Sequence, residues 1–104
     1  MWRSTSALAL AALLASAPVC AAEDRSEALT TLILQDCGSC HGMTLRGGLG
    51  ASLLPVDLAD KDTEVLAAII LDGVPNTPMP PWRGLLSEPD ARWIAAALKK
   101  GFPR

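Results

Sequence analysis

The string Cys37-Gly38-Ser39-Cys40-His41 constrains this chain more than any other feature. Two thiols three residues apart on a helical turn face the same way, and an imidazole follows directly. A Cys-x-x-Cys-His string of this kind attaches haem. The thiols reach two vinyl groups on one edge of the porphyrin as thioethers, and the adjacent imidazole projects beneath the ring, where its Nε2 can bind the iron. Small residues at Gly38 and Ser39 let the backbone lie against the ring edge. A chain carrying this string has to fold around a flat, largely apolar group.

Residues 1–22 read as a secretory signal peptide: one basic residue, Arg3, an apolar run from Ala7 to Ala17, then small residues before the abruptly charged Glu23-Asp24-Arg25. The run is shorter than the roughly 20 apolar residues of a membrane span. Cleavage is expected after Ala22, with Ala21 the alternative, releasing residues 23–104 as one domain into the bacterial periplasm, free of the membrane. The competing readings are an uncleaved anchor and lipid attachment at Cys20. Pro18 counts against the second, since a small residue is wanted there.

Without that leader the 104 residues become 82 and nine basic residues become eight, facing eleven acidic ones. No basic stripe is left for nucleic acid. A chain this short holds a marginal core and commonly recruits a disulfide, a metal or a cofactor. A closed zinc site needs four ligands, whereas the mature chain offers two cysteines and a single histidine. A thioredoxin-like redox pair wants a strand–helix–strand neighbourhood, and none is legible. A structural disulfide suits an exported protein but gives His41 and the proline-rich segment no role.

Elimination names the second axial ligand. His41 is the only histidine, Met1 belongs to the leader, and Met43 stands two residues past His41, on the wrong side of the ring. Met79 lies 38 residues downstream of His41, flanked by Pro78 and Pro80. Those prolines fix the backbone, so the thioether has little entropy to lose on binding. The expected site is therefore Cys37 and Cys40 as covalent haem attachments, with His41 and Met79 as axial iron ligands. Both axial positions are then filled and the iron is closed to substrate, which points to one-electron transfer with no catalytic residue.

The rest of the chain reads as helices and loops. Asp24 to Glu27 has capping-box spacing, and Leu29, Leu32 and Ile33 continue a helix to about Asp36. Five residues, Gly42, Gly47, Gly48, Gly50 and Pro55, forbid a long element before Asp60. Asp62 or Thr63 caps a helix with Val65, Leu66, Ile69 and Ile70 on its apolar face and Gly73 as its stop. Four prolines between Pro75 and Pro81 exclude helix and central strand. A last helix starts at Ser87, with Asp90 reaching back, Ala91, Ile94, Ala97 and Leu98 inward, and Gly101 at its end. The fold class is all-α. Leu53, Leu54, Val56, Leu66, Ile70, Leu85 and Ile94 are the expected pocket walls. Trp82 and Arg83 are candidates for a haem propionate, or else a loop anchor and a solvated charge. Asp57, Asp60, Asp62 and Glu64 form an acidic rim that suits either a basic redox partner or plain solvation.

In this order, Cys37 to His41, the Gly-rich stretch, a capped helix, Pro78-Met79-Pro80 and a closing helix resemble a class I cytochrome c across nearly all of residues 24–101. The resemblance implies N- and C-terminal helices crossing near the haem edge, with the remaining elements wrapped about the porphyrin. Asp36 to Thr44, Gly47-Gly48-Leu49-Gly50, Thr77 to Trp82 and Leu86-Ser87-Glu88 look like the small c55X, or NirC-type, cytochromes of denitrifying bacteria. That likeness implies a monomeric electron carrier whose partner is the cytochrome cd nitrite reductase, as its electron donor. Its alternative role is in maturation of the reductase's haem d. An enzyme working at the haem ranks third and would require Met79 to leave the iron. Two positions depart from the class I pattern: Ala51 stands where many members have Pro, and the aromatic late in the last helix is Trp93 rather than a residue near Ala97.

Overall fold

The structure, a computed structural model, describes the backbone of residues 20–102 and the side chains of residues 25–102. The expected signal peptide lies outside them apart from its last three residues, which already belong to the first helix. Among the described residues every regular element is helical, as expected, and no helix is long and apolar enough to cross a membrane.

Helix α1 (Cys20–Leu32) runs directly into a single π-helical turn, Ile33–Cys37, and then into α2 (Gly38–His41). The sequence places the helix start at Asp24 and its end near Asp36. The backbone is instead helical from Cys20 through the whole Cys motif, so the Asp24 box does not open it. Gly38 N–H donates to the Ile33 carbonyl five residues back, the pattern that defines a π turn. Leu29 and Ile33 bury the inner face.

The loop from Gly42 contains one short helix that the sequence reading lacked, α3 (Pro55–Leu58), with Pro55 in a first turn that needs no amide donor. Helix α4 (Thr63–Asp72) is capped by Asp62, whose carboxylate accepts the Glu64 N–H at 3.0 Å, and stops at Gly73, where φ is 68°. Leu66, Ala67 and Leu71 are buried, while Val65 is 53% exposed. The buried stripe follows positions 66, 67, 70 and 71, which leaves Val65 on its flank.

Helix α5 (Glu88–Lys100) has a reciprocal capping box. Asp90 N–H donates to Ser87 Oγ at 3.2 Å and Ser87 N–H to Asp90 Oδ2 at 3.0 Å. Ala91, Ile94, Ala95 and Leu98 are buried. Trp93 stays at the surface, edge-on to Phe102 with ring centres 6.5 Å apart. Helix α5 is the hub: α4 packs along it, α1 and α3 touch it, and an Arg25–Asp90 ion pair ties α1 to its first turn. One apolar cluster joins all of these elements, including Leu45 from the Gly-rich loop.

Candidate haem site

A cavity of about 610 Å³ opens between the Cys motif, α4, α5 and the proline loop, within the range of about 300–1,000 Å³ typical of ligand sites. All four expected site residues, Cys37, Cys40, His41 and Met79, line it. They come from two segments far apart in the chain. Of the expected walls, Leu53, Leu66, Ile70 and Ile94 line the cavity. Leu54, Val56 and Leu85 do not: Leu54 precedes α3, and Val56 and Leu85 are 78% and 72% exposed. Leu58, Ile69, Val74 and Leu98 also contribute. Leu98 was legible four residues after Ile94 on the same helix face, whereas Leu58 and Val74 sit where loop conformation decides.

The histidine is held from behind. His41 Nδ1 lies 2.6 Å from the Ala51 carbonyl oxygen. A carbonyl only accepts, so Nδ1 carries the proton and the Nε2 lone pair is left for a metal. The carbonyl therefore serves without the proline that many class I cytochromes have there. The loop reaches this place through Gly47 N–H on the His41 carbonyl and Gly50 N–H on the Cys40 carbonyl, both at 2.8 Å. Gly50 lies flat on the ring, and a Cβ there would stand 2.7 Å from His41 Nδ1.

The methionine is held by a small closed network. Met79 N–H donates to Thr77 Oγ1 at 3.3 Å, the Thr77 hydroxyl donates to the Val74 carbonyl at 2.8 Å, and Val74 N–H returns to the Met79 carbonyl at 3.2 Å. Gly73, at the end of α4, presses on the same carbonyl, where an added Cβ would stand 2.7 Å away. Met43 lies off the cavity and is 67% exposed.

Cys37 and Cys40 are free thiols. Burial, with the Asp36 charge beside it, pushes the Cys37 thiol up to about 11, so it is neutral at physiological pH. No group of three or more His, Cys, Asp or Glu side chains that could hold a metal ion occurs among the described residues. Two thiols, an imidazole with Nε2 free, a thioether and apolar walls are the donor set of a covalently attached haem.

Trp82 lines the cavity, but Arg83 does not. Its guanidinium binds Asp72, with Nε 3.0 Å and Nη2 2.8 Å from Oδ1, and approaches Glu88 at 3.7 Å. The acidic rim is similarly engaged. Asp57 accepts the Ser52 hydroxyl at 2.6 Å, Asp60 pairs with Lys61, Asp62 caps α4, and Glu64 binds Arg92 at 2.9 Å.

An all-helical wrap around one cavity with this donor set defines a class, the class I c-type cytochromes. The family model described as "Cytochrome C oxidase, cbb3-type, subunit III" matches residues 24–96. The chain is 56% identical over 77 residues to cytochrome c55X of Pseudomonas aeruginosa, covering 74% of this chain and 65% of that one. It is 50% identical over 93 residues to cytochrome c55X of Paracoccus denitrificans, covering 88% and 90%. Among solved structures, c-type cytochrome NirC superposes with a TM-score of 0.73 at 53% identity, covering 74% of this chain and 91% of that one. Dihydro-heme d1 dehydrogenase NirN in complex with DHE gives 0.64 at 35% identity, covering 71% of this chain and 16% of that one. The chain belongs to this cytochrome c family, alongside the cytochromes c55X, and its cofactor is covalently bound haem c.

Proposed function

We propose that this protein is a periplasmic carrier of single electrons, exported by residues 1–22, in which Cys37 and Cys40 hold haem as thioethers and His41 and Met79 ligate the iron. The observation that carries the reading is the convergence of these four side chains on one apolar cavity. Haem supplies a one-electron iron couple when bound. The chain's own part is positional. Ala51 keeps the proton on His41 Nδ1, the Val74–Thr77–Met79 network holds the thioether, and the apolar walls exclude water. With both axial positions filled, no place is left for a substrate, which favours electron transfer over catalysis. Titration of the reduced holoprotein with carbon monoxide tests this: the carrier does not bind it readily while folded, and ready binding would sink the reading.

For the partner we infer the cytochrome cd nitrite reductase, with this chain as its electron donor, from the likeness to the c55X cytochromes. A second reading has its own support. A stretch making up 15% of a protein named dihydro-heme d1 dehydrogenase, from Pseudomonas aeruginosa, is 37% identical to this chain over 73 residues, which favours a role in exchanging electrons during haem d maturation. A deletion strain separates the two. A reductase with normal haem d but slow nitrite reduction supports the donor role, and a reductase lacking haem d supports maturation.

A further inference from the structure

The segment that carries Met79 has four prolines between Pro75 and Pro81. Proline donates no hydrogen bond, so the loop has few amides of its own with which to hold itself shut. Both of its ends return instead to the last turn of α4. Gly73 N–H donates to the Ile69 carbonyl at 2.9 Å, and from the far end Trp82 N–H donates to the Ile70 carbonyl and Arg83 N–H to the Leu71 carbonyl, both at 3.1 Å. A helix leaves its last carbonyls without internal partners, and the loop supplies three of them here. The methionine therefore rides on a strap fastened at both ends to one helical turn.

The side chain of Arg83 reinforces that fastening. Asp72 is the last residue of α4, where a negative charge meets the negative end of the helix dipole and is unfavourable. The Arg83 guanidinium neutralises it, with Nε 3.0 Å and Nη2 2.8 Å from Oδ1. The same guanidinium reaches α5, its Nη1 3.7 Å from Glu88 Oε1. Glu88 in turn approaches Arg92 at 3.7 Å, and Arg92 binds Glu64 in the first turn of α4 at 2.9 Å. A chain of alternating charge thus runs from one end of α4, across α5, to the other end of α4, and Arg83 is its only member outside the two helices. Gly73, which follows Asp72, lies against the Met79 carbonyl, so the pair sits beside the backbone that positions the thioether.

We propose that Arg83 is a positioning residue for the methionine: its pairing with Asp72 and Glu88 is the clasp that keeps the loop closed and Met79 at the iron. The inference rests on the haem reading of the cavity and on Met79 as ligand. Arg83 acts through the loop and touches no reacting atom, since it forms no part of the cavity wall. The side chains of Arg83 and Asp72 are 53% and 59% exposed, so dissolved salt screens the pair. Opening of the loop is therefore sensitive to ionic strength, and that sensitivity belongs to the clasp.

The test uses oxidised holoprotein of the wild type, Arg83→Gln, Arg83→Lys and Lys100→Gln. The last removes an equal charge at the opposite end of α5 from Glu88. Imidazole replaces the thioether only after the loop opens, so its rate of entry at saturating concentration reports opening. Hydrogen exchange of the amides at positions 82 and 83 reports the same motion without involving the iron. Both are expected to quicken roughly fivefold in Arg83→Gln, the upper size of one exposed ion pair. Partial recovery is expected in Arg83→Lys, which keeps the charge but loses the two-nitrogen grip, and no change in Lys100→Gln. Added salt is expected to speed imidazole entry in the wild type and hardly at all in Arg83→Gln. Unchanged rates in Arg83→Gln, or an equal change in Lys100→Gln, would overturn the clasp, and so would faster exchange without faster imidazole entry. A wild type lacking covalent haem or sulfur ligation would overturn the underlying site reading instead, and the amide exchange would still decide whether Arg83 fastens the loop.

Discussion

Two residues whose roles depend on backbone conformation carry much of the site. Leu45 is 2% exposed in the middle of the Gly-rich loop, with φ at 61°. A non-glycine residue in that region costs about 1–3 kcal/mol, and burying a leucine side chain returns about 1.5–3 kcal/mol. The two nearly cancel, so the leucine acts as a pin that keeps the loop, and with it the Ala51 carbonyl, against the motif. Leu45→Ala keeps the strain and loses the burial. It is expected to lower unfolding free energy by about 2–5 kcal/mol, measured by denaturant titration of the holoprotein. Gly73 is the counterpart on the methionine side, with φ at 68° and no room for a Cβ beside the Met79 carbonyl. Gly73→Ala is expected to weaken sulfur ligation as well as stability, read as loss of the red-end absorption of the oxidised protein. A variant that loses stability but keeps that band would separate Gly73 from the methionine loop.

At the scale of elements, α5 was readable nearly to the residue because its signals are local: Ser87 and Asp90 cap it, Gly101 stops it, and apolar spacing marks its face. Ser87→Ala is expected to cost about 1 kcal/mol, measured by thermal unfolding. Asp90 adds a pH dependence. The Arg25 guanidinium, helped by the Ser87 cap and opposed by desolvation, holds its carboxyl well below the usual carboxylate range. A carboxylate depressed on folding contributes fully above its unfolded value of about 3.9 and loses that contribution as pH falls toward the folded value. Asp90→Asn is therefore expected to flatten part of the loss of stability below about pH 4, checked by acid titration of the two proteins. The first helix was harder to read. Its π turn rests on five-residue hydrogen bonding of the kind Gly38 N–H makes to the Ile33 carbonyl, and no residue pattern announces a shift from four-residue to five-residue bonding. The short α3 and the outward turn of Val56 and Leu85 were equally hidden, since loop residues carry no periodicity from which to read a face. The four residues expected to hold the haem stand out in the sequence by their chemistry rather than their packing, and the structure brings all four to one cavity.

For the whole molecule, the central fact is that α4 and α5 pack on each other yet both give apolar side chains to the cavity wall. Leu66, Ile94 and Leu98 belong both to the buried cluster and to the cavity wall, so the haem completes the core of a chain already near the lower size limit for one. Replacing both Cys37 and Cys40 by Ala is expected to give a protein without covalent haem and with much of its helicity lost, measured by far-ultraviolet circular dichroism. Full native helicity in that variant would mean that the apolar elements pack without the cofactor.

The carrier role proposed for this protein requires a single iron held by His41 and Met79. An optical spectrum of the oxidised holoprotein, compared with that of Met79→Leu, tests it most directly. The expected result is a weak band at the red end in the wild type, reporting sulfur on the iron, that disappears in the variant while covalent haem is retained. A wild-type spectrum without that band, or a band that survives the substitution, would contradict it.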